Sequence, residues 1–167
     1  MRIEQADPAD TRKAREPMAS LYNAMSDVPR EPGVAPQVWD AARIRERISL
    51  RPRFGMRDYA VAVRHDDTGE LAGLTEVAVD PEDPGWGYQL MTAVIRAHRG
   101  HRLGLLLKIA MMDLLATTEP GLERTSTWNA GSNEHMIGVN DTLGYAPFGT
   151  PVTWSELEAA AVPGYEA

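Results

Sequence analysis

The order of periodicities along this chain predicts one α/β domain built on a mixed sheet, and three observations carry that expectation. Apolar residues recur at helical spacing up to about residue 50, alternate with polar ones from Tyr59, and return to helical spacing after Leu103. The run Met91-Thr92-Ala93-Val94-Ile95 is strand-like and leads straight into the helix that Leu103 opens. At 167 residues, 43% hydrophobic and 25% charged, the chain has the size and composition of a single globular domain.

Ile3 and its neighbours form a short opening strand. Asp7-Pro8-Ala9-Asp10 offers a helix start, and Met18, Leu21, Tyr22 and Met25 share one helical face. Pro17 is expected to break or restart that helix. Residues 28–36 hold three prolines and a glycine and read as a loop, since apolar periodicity resumes at once. A second helix over 38–50 turns Val38, Ala41, Ala42, Ile44 and Ile48 inward and its arginines to water. Strands over 59–63 and 71–79, joined by the turn Asp66-Asp67-Thr68-Gly69, make a hairpin. Residues 81–87 are a loop and 88–96 a third strand. The helix after Leu103 is apolar on nearly every face, interrupted mainly by Lys108 and Asp113, so neighbours cover it on several sides. Glu119-Pro120-Gly121 ends it. Thr125-Ser126-Thr127-Trp128 is a further strand, 132–143 a shorter helix closed by Gly144, and 145–154 a last strand. The domain spans 1–155, with 156–167 as a weakly ordered tail.

Composition narrows the function. The absence of cysteine excludes disulfides, thiolate metal sites and a cysteine nucleophile. Residues 1–8 lack the apolar core of a signal peptide, and no apolar run approaches the ~18 residues of a membrane span. A net charge of −7 argues against a nucleic-acid partner, which calls for a broad basic face. No membrane partner is expected, and the default location is cytoplasmic.

Against that acidic background the start of the 103 helix is odd. Helices usually begin with Ser, Thr, Asp or Asn, whose oxygens accept the first unpaired N–H groups, and acids in the first turn suit the helix dipole. His98-Arg99-Gly100-His101-Arg102-Leu103-Gly104 offers two glycines, two histidines and two arginines, and no side-chain acceptor. Free amides beside cations expect an anion, most often phosphate.

The stretch from Val94 to Gly104 resembles the acyl-CoA signature of the GNAT (GCN5-related N-acetyltransferase) superfamily: Gln or Arg, two free positions, Gly, one free position, then Gly or Ala. Downstream, the stretch from Asn129 to Tyr145 is similar to the family's second motif, in which an Asn begins a helix and a Gly-aromatic pair, here Gly144-Tyr145, ends it. The element order matches the family from residue 3 to about 154. The variant His-Arg-Gly-His-Arg-Leu-Gly, with Thr-Trp-Asn downstream, resembles an actinobacterial branch in which such domains often occur in tandem. The resemblance implies a GNAT-like mixed, mostly antiparallel central sheet flanked by about four helices. It implies that the amides of Arg99, Gly100, His101, Arg102, Leu103, Gly104 and Leu105 bind the pyrophosphate of acetyl-CoA or another short acyl-CoA. Asn129 and Asn133 belong to the same cofactor site. The strand edge at Val94 and Ile95 would pair with the pantetheine arm and polarise the thioester carbonyl. Acyl transfer would then be direct, to a primary amine, with positioning, amine deprotonation and stabilisation of the departing thiolate as the enzyme's work.

Three departures bear on chemistry. Arg102 replaces the first family glycine, where its guanidinium either contacts phosphate or faces solvent. Asn140 stands where many members carry a proton-donating Tyr; it shares an inward face with Met136 and Leu143, so its amide wants a partner, either the sulfur or the backbone. The strand over 88–96 holds no acid, which leaves Glu76, on one strand face with Leu74 and Ala78, as the best carboxylate for base or amine binding. A solvent-facing residue and a buried ion pair remain its alternatives. Glu82 and Asp83 could instead receive a cationic amine. His98 and His101 lack a third ligand nearby, so no metal is expected. Arg96 and Lys108 could reach the 3′-phosphate of CoA but read as solvated surface cations. His135 reads as exposed. Trp39, Trp128 and Trp154 read as packing residues, while Trp86, between two glycines in the loop, could touch substrate.

The function expected is N-acetyl or short-acyl transfer to the amine of a small molecule or peptide. A catalytically weak CoA-binding domain, acting as structural or regulatory partner in a homodimer or beside a second GNAT domain, is the alternative. Aminoacyl transfer from tRNA would need a basic face that is missing.

Overall fold

In the computed structural model, residues 1–6, 15–24, 37–50 and 55–149 are described. The expected helix start at 7–10, Met25, the loop over 28–36, the side chain of Ile48, residues 150–154 and the 156–167 tail lie outside them.

Among the described residues five strands form one sheet in the order β1-β2-β3-β4-β5: β1 (Arg2–Ala6), β2 (Arg57–Arg64), β3 (Leu71–Val79), β4 (Trp86–Val94) and β5 (Arg124–Ser126). The first four pair antiparallel, and β5 runs parallel to β4. Four helices flank them: α1 (Arg15–Ala24), α2 (Ala41–Leu50), α3 (Leu103–Thr118) and α4 (Glu134–Thr142). β3 is central and buried at all nine positions, which its apolar composition supports. Alternation along β2 and β3 feeds two cores. Ala60, Ala62 and Leu74 meet Met18, Leu21 and Tyr22 of α1 and Ile44 of α2. Val61, Val63, Val77 and Val79 meet Leu103, Leu107, Met111 and Leu115 of α3, spaced at four-residue intervals along the helix. α3 lies close to the sheet: a Cβ on Gly73 would come within 2.9 Å of the Ala93 carbonyl oxygen and 3.1 Å of Leu107 Cδ1. No described helix is long and apolar enough to cross a membrane.

Several boundaries differ from expectation. Pro17 lies inside α1, two residues past Arg15, and the residues before Arg15, where the expected break or restart falls, lie outside those described. α2 begins three residues later than expected. Asp40, whose Oδ1 accepts the Arg43 amide at 2.8 Å, starts it, so Val38 precedes the helix and is 77% exposed, and Ala42 also faces out. β4 begins at Trp86 and stops at Val94, which puts Trp86 in a strand instead of a loop. Residues 145–149 form no strand.

Candidate functional site

β4 and β5 pair only where Trp86, Gly87 and Tyr88 face Arg124, Thr125 and Ser126. Beyond that short ladder the strands part and open a cleft of about 1060 Å³. Gln89, Leu90, Met91, Thr92, Ala93 and Val94 line one wall and Thr127, Trp128, Asn129 and Ala130 the other. The start of α3 and one side of α4 complete it. A bulge shapes the β4 wall: Glu76 faces Met91 and Val77 faces Gln89, so Leu90 is the extra residue. A polar cluster pins the bulge. The Gln89 side-chain amide donates to the Glu76 carbonyl at 2.7 Å, the Met91 carbonyl at 3.0 Å and Thr75 Oγ1 at 3.0 Å. Thr75 Oγ1 lies 2.9 Å from Thr92 Oγ1.

The start of α3 forms one end of the cleft. No side chain caps it and no acid lies in its first turn. Arg102 takes the left-handed conformation (φ 55°, ψ 22°), the only non-glycine with positive φ among the described residues, and Gly100 has φ 84°. Left-handed residues at 100 and 102 belong to the kind of turn that presents successive amides to an anion. Val94, Arg99, Gly100, Arg102, Leu103, Gly104 and Leu105 line the cleft, as do Asn129 and Asn133. Ile95 instead packs against the α1–α2 core, and His101 is exposed outside the cleft lining. Arg99 turns its guanidinium to backbone, donating to the Val94 carbonyl at 3.0 Å and to the Ala24 carbonyl at 3.1 Å, which ties α1 to the loop. His98 stacks on His65 at 5.6 Å.

Lys108 is the residue the sequence reading misplaced. It is 2% exposed, far from a solvated surface cation, and it is set into the cleft wall. Its Nζ donates to Asn140 Oδ1 at 2.5 Å and lies 4.5 Å from the centroid of the Tyr145 ring. The Tyr145 hydroxyl lies 2.7 Å from Thr125 Oγ1 on β5, which fixes the ring. No carboxylate pairs with Lys108 among the described residues. Burial pushes its pKa down to about 8. A signal existed: Lys108 is one turn past Gly104 and shares its face of α3. Asn140 is buried, and its amide oxygen finds its partner in a lysine, neither in the backbone nor in solvent.

Glu76 faces the opposite side of the sheet. It is 7% exposed, accepts from the Tyr22 hydroxyl at 2.5 Å and pairs with Arg47 Nη1 at 3.1 Å. Arg47 also lies over the Tyr22 ring, 5.0 Å from its centroid. Glu76 and Asn140 are therefore not brought together. On α4, Asn133 caps the helix by accepting the Met136 amide, while Glu134 and His135 are exposed along the cleft. Trp128, read as packing, is 60% exposed and lines the cleft. Trp86 instead packs near Phe148 and Arg124.

No family model matches this sequence, and no curated protein matches it. Solved structures do. A tandem GNAT protein from the clavulanic acid biosynthesis pathway shares 33% identity over 88% of this chain and 42% of its own, with a TM-score of 0.74. The chain thus spans less than half of that protein. The ribosomal-protein-alanine N-acetyltransferase of Brucella melitensis is 14% identical over 89% of this chain and 86% of its own, with a TM-score of 0.66. YncA of Salmonella typhimurium, solved with its cofactor acetyl-CoA, is 16% identical over 86% and 78%, with a TM-score of 0.62.

Proposed function

The chain has the fold of the GNAT acetyltransferases, and on that premise we propose that it transfers an acetyl or short acyl group from acyl-CoA directly to a primary amine. The observation that carries the reading is the start of α3: uncapped, free of acid, turned by Gly100 and Arg102, and open to a cleft between parted strands. The amides from Arg99 to Leu105 would hold the pyrophosphate, with the Arg102 guanidinium as a second anion contact. The wall of β4 past Tyr88, unpaired by β5, offers main-chain groups to an extended arm at Val94. Asn129 and Asn133 close the site from the β5 and α4 side. Acyl-CoA supplies the activated thioester; the residues of this chain orient it, exclude water and manage the protons.

The acceptor is a small-molecule or peptide amine. For its activation we retain Glu76 as candidate, reached from the α1–α2 side, where Arg47 and Tyr22 hold the carboxylate in place. Thermal unfolding with acetyl-CoA tests the reading. Ligand at a hundred times its Kd should add about 2.7 kcal/mol of stability, a rise of several degrees for a domain of this size. Arg102→Glu should reduce the rise. No rise at millimolar acetyl-CoA overturns the assignment.

A second reading is favoured by the 42% coverage of a tandem protein: a CoA-binding domain of weak activity that serves a second GNAT domain or its own copy. Glu76→Gln separates the two. Lost turnover with CoA binding kept favours the enzyme. Wild-type protein that binds CoA and turns over no amine favours the partner.

A further inference from the structure

Among the ionisable side chains that line the cleft, Arg99, Arg102, Glu134 and His135 are exposed, and Lys108 alone is buried. A buried cation without a counter-charge is costly and is rarely kept for packing alone. Among the described residues the groups facing it are neutral: the Asn140 amide oxygen from α4, and the Tyr145 ring, whose hydroxyl is engaged by Thr125 of β5. An ammonium has three donors, and the one acceptor it finds leaves two without a protein partner among the described residues. The position is a cation waiting for an anion at the inner part of the cleft. It lies one helical turn, ~6 Å along α3, from Gly104 at the phosphate-binding end.

We propose that Lys108 receives the thiolate that leaves the acyl thioester and gives it a proton, with Asn140 as the positioning residue that aims the ammonium. The proposal rests on the acyltransferase reading above. In the balanced step the amine nitrogen bonds to the acyl carbon, and the carbon–sulfur bond breaks with its electron pair on sulfur. The Lys108 ammonium passes a proton to that sulfur and becomes neutral. The proton that Glu76 takes from the amine nitrogen is released to water, and the neutral Lys108 amine takes one up from water, which restores the ammonium. The sum is amine plus thioester giving amide plus thiol, with no oxidation or reduction. A lysine whose pKa is drawn down toward neutrality by burial gives up its proton more readily than a surface lysine.

The test compares wild type, Lys108→Met and Lys108→Arg, with Lys108→Gln in reserve should the methionine variant fail to fold. Each is mixed with CoA, and the bound thiol is titrated by the ultraviolet absorbance of its thiolate; desulfo-CoA is the binding control. In wild type the bound thiol should ionise at least about one pH unit below free CoA, a tenfold shift. Lys108→Met should lose that depression while binding desulfo-CoA as wild type does. Lys108→Arg should keep the depression, because the charge remains. It should nonetheless transfer acetyl to hydroxylamine about 100-fold more slowly, because a guanidinium does not release its proton. An identical thiol titration in wild type and Lys108→Met overturns the proposal while leaving CoA binding intact. So does equal acetyl transfer by wild type and Lys108→Arg, or an acetyl group found on Lys108 itself by mass; wild-type transfer too slow to detect favours the partner reading above and brings down the acyltransferase reading, and this proposal with it. Failure of wild type to bind CoA at all brings down the acyltransferase reading, and this proposal with it.

Discussion

Arg102 and Lys108 are each held in a state their residue type disfavours. A left-handed backbone costs an L-residue about 1 kcal/mol or more, which the loop before α3 tolerates because it places the following amides. Burial of Lys108 costs stability in a way that pH exposes. Its folded pKa, about 8, lies below the ordinary 10.5. Between those values the unfolded chain binds a proton that the folded one has released, so stability rises with pH across that window. Denaturant unfolding of the unliganded protein should therefore show a gain of roughly 1–3 kcal/mol from pH 8 to 10. Lys108→Met should flatten that part of the profile. A flat wild-type profile would mean that the ammonium is better solvated than its burial indicates.

The placement of α3 relative to the sheet decides the geometry of the cleft, and the helix is fixed along its length and at its far end. Gly73 lets Leu107 approach β3. Just past the C-terminus of α3, Glu119 takes the Arg57 guanidinium in two bonds, at 2.5 and 2.9 Å, and the Tyr59 hydroxyl as well. The Arg57 bond, joined by Tyr59, holds the Glu119 carboxyl below the usual glutamate range, against the opposing effect of burial. A carboxylate with a depressed pKa stabilises the fold above its unfolded pKa, and that stability is lost as pH falls through the folded value. Glu119→Gln should cost about 1–2 kcal/mol at neutral pH, discounted for the partly exposed Arg57, and soften the acid side of the stability profile. An unchanged Tm at pH 7 would show that the tether contributes nothing.

Across the whole molecule, stability should be graded around β3. That strand pairs on both sides and is buried throughout, whereas β1 is an edge strand and β5 has three residues. Native-state hydrogen exchange should find the slowest amides in β3 and faster ones in β1 and β5. Acetyl-CoA should add protection at the start of α3 and along residues 89–94 of β4. Slowest exchange in β1 or β5 would contradict the central position of β3.

The fold was legible because it rests on periodicity: the switch from helical spacing to alternation and back placed β2, β3, α3 and α4, and the missing cap before Leu103 marked the end of the cleft. Those are local properties, written in consecutive residues. Val38 and Ala42 were misplaced because an apolar pattern does not by itself fix the residue at which a helix starts; Asp40 did. The fate of each charge was less legible still. Lys108 and Glu76 stand alike in the sequence, single ionisable residues in apolar runs. Tertiary packing gave one an amide oxygen and an aromatic ring beside the cleft, and the other an arginine and a tyrosine across the sheet. Solvation and Coulomb energies depend on distances between segments remote in sequence, Lys108 with Asn140 and Glu76 with Tyr22 and Arg47, and those distances exist only once the sheet has been assembled.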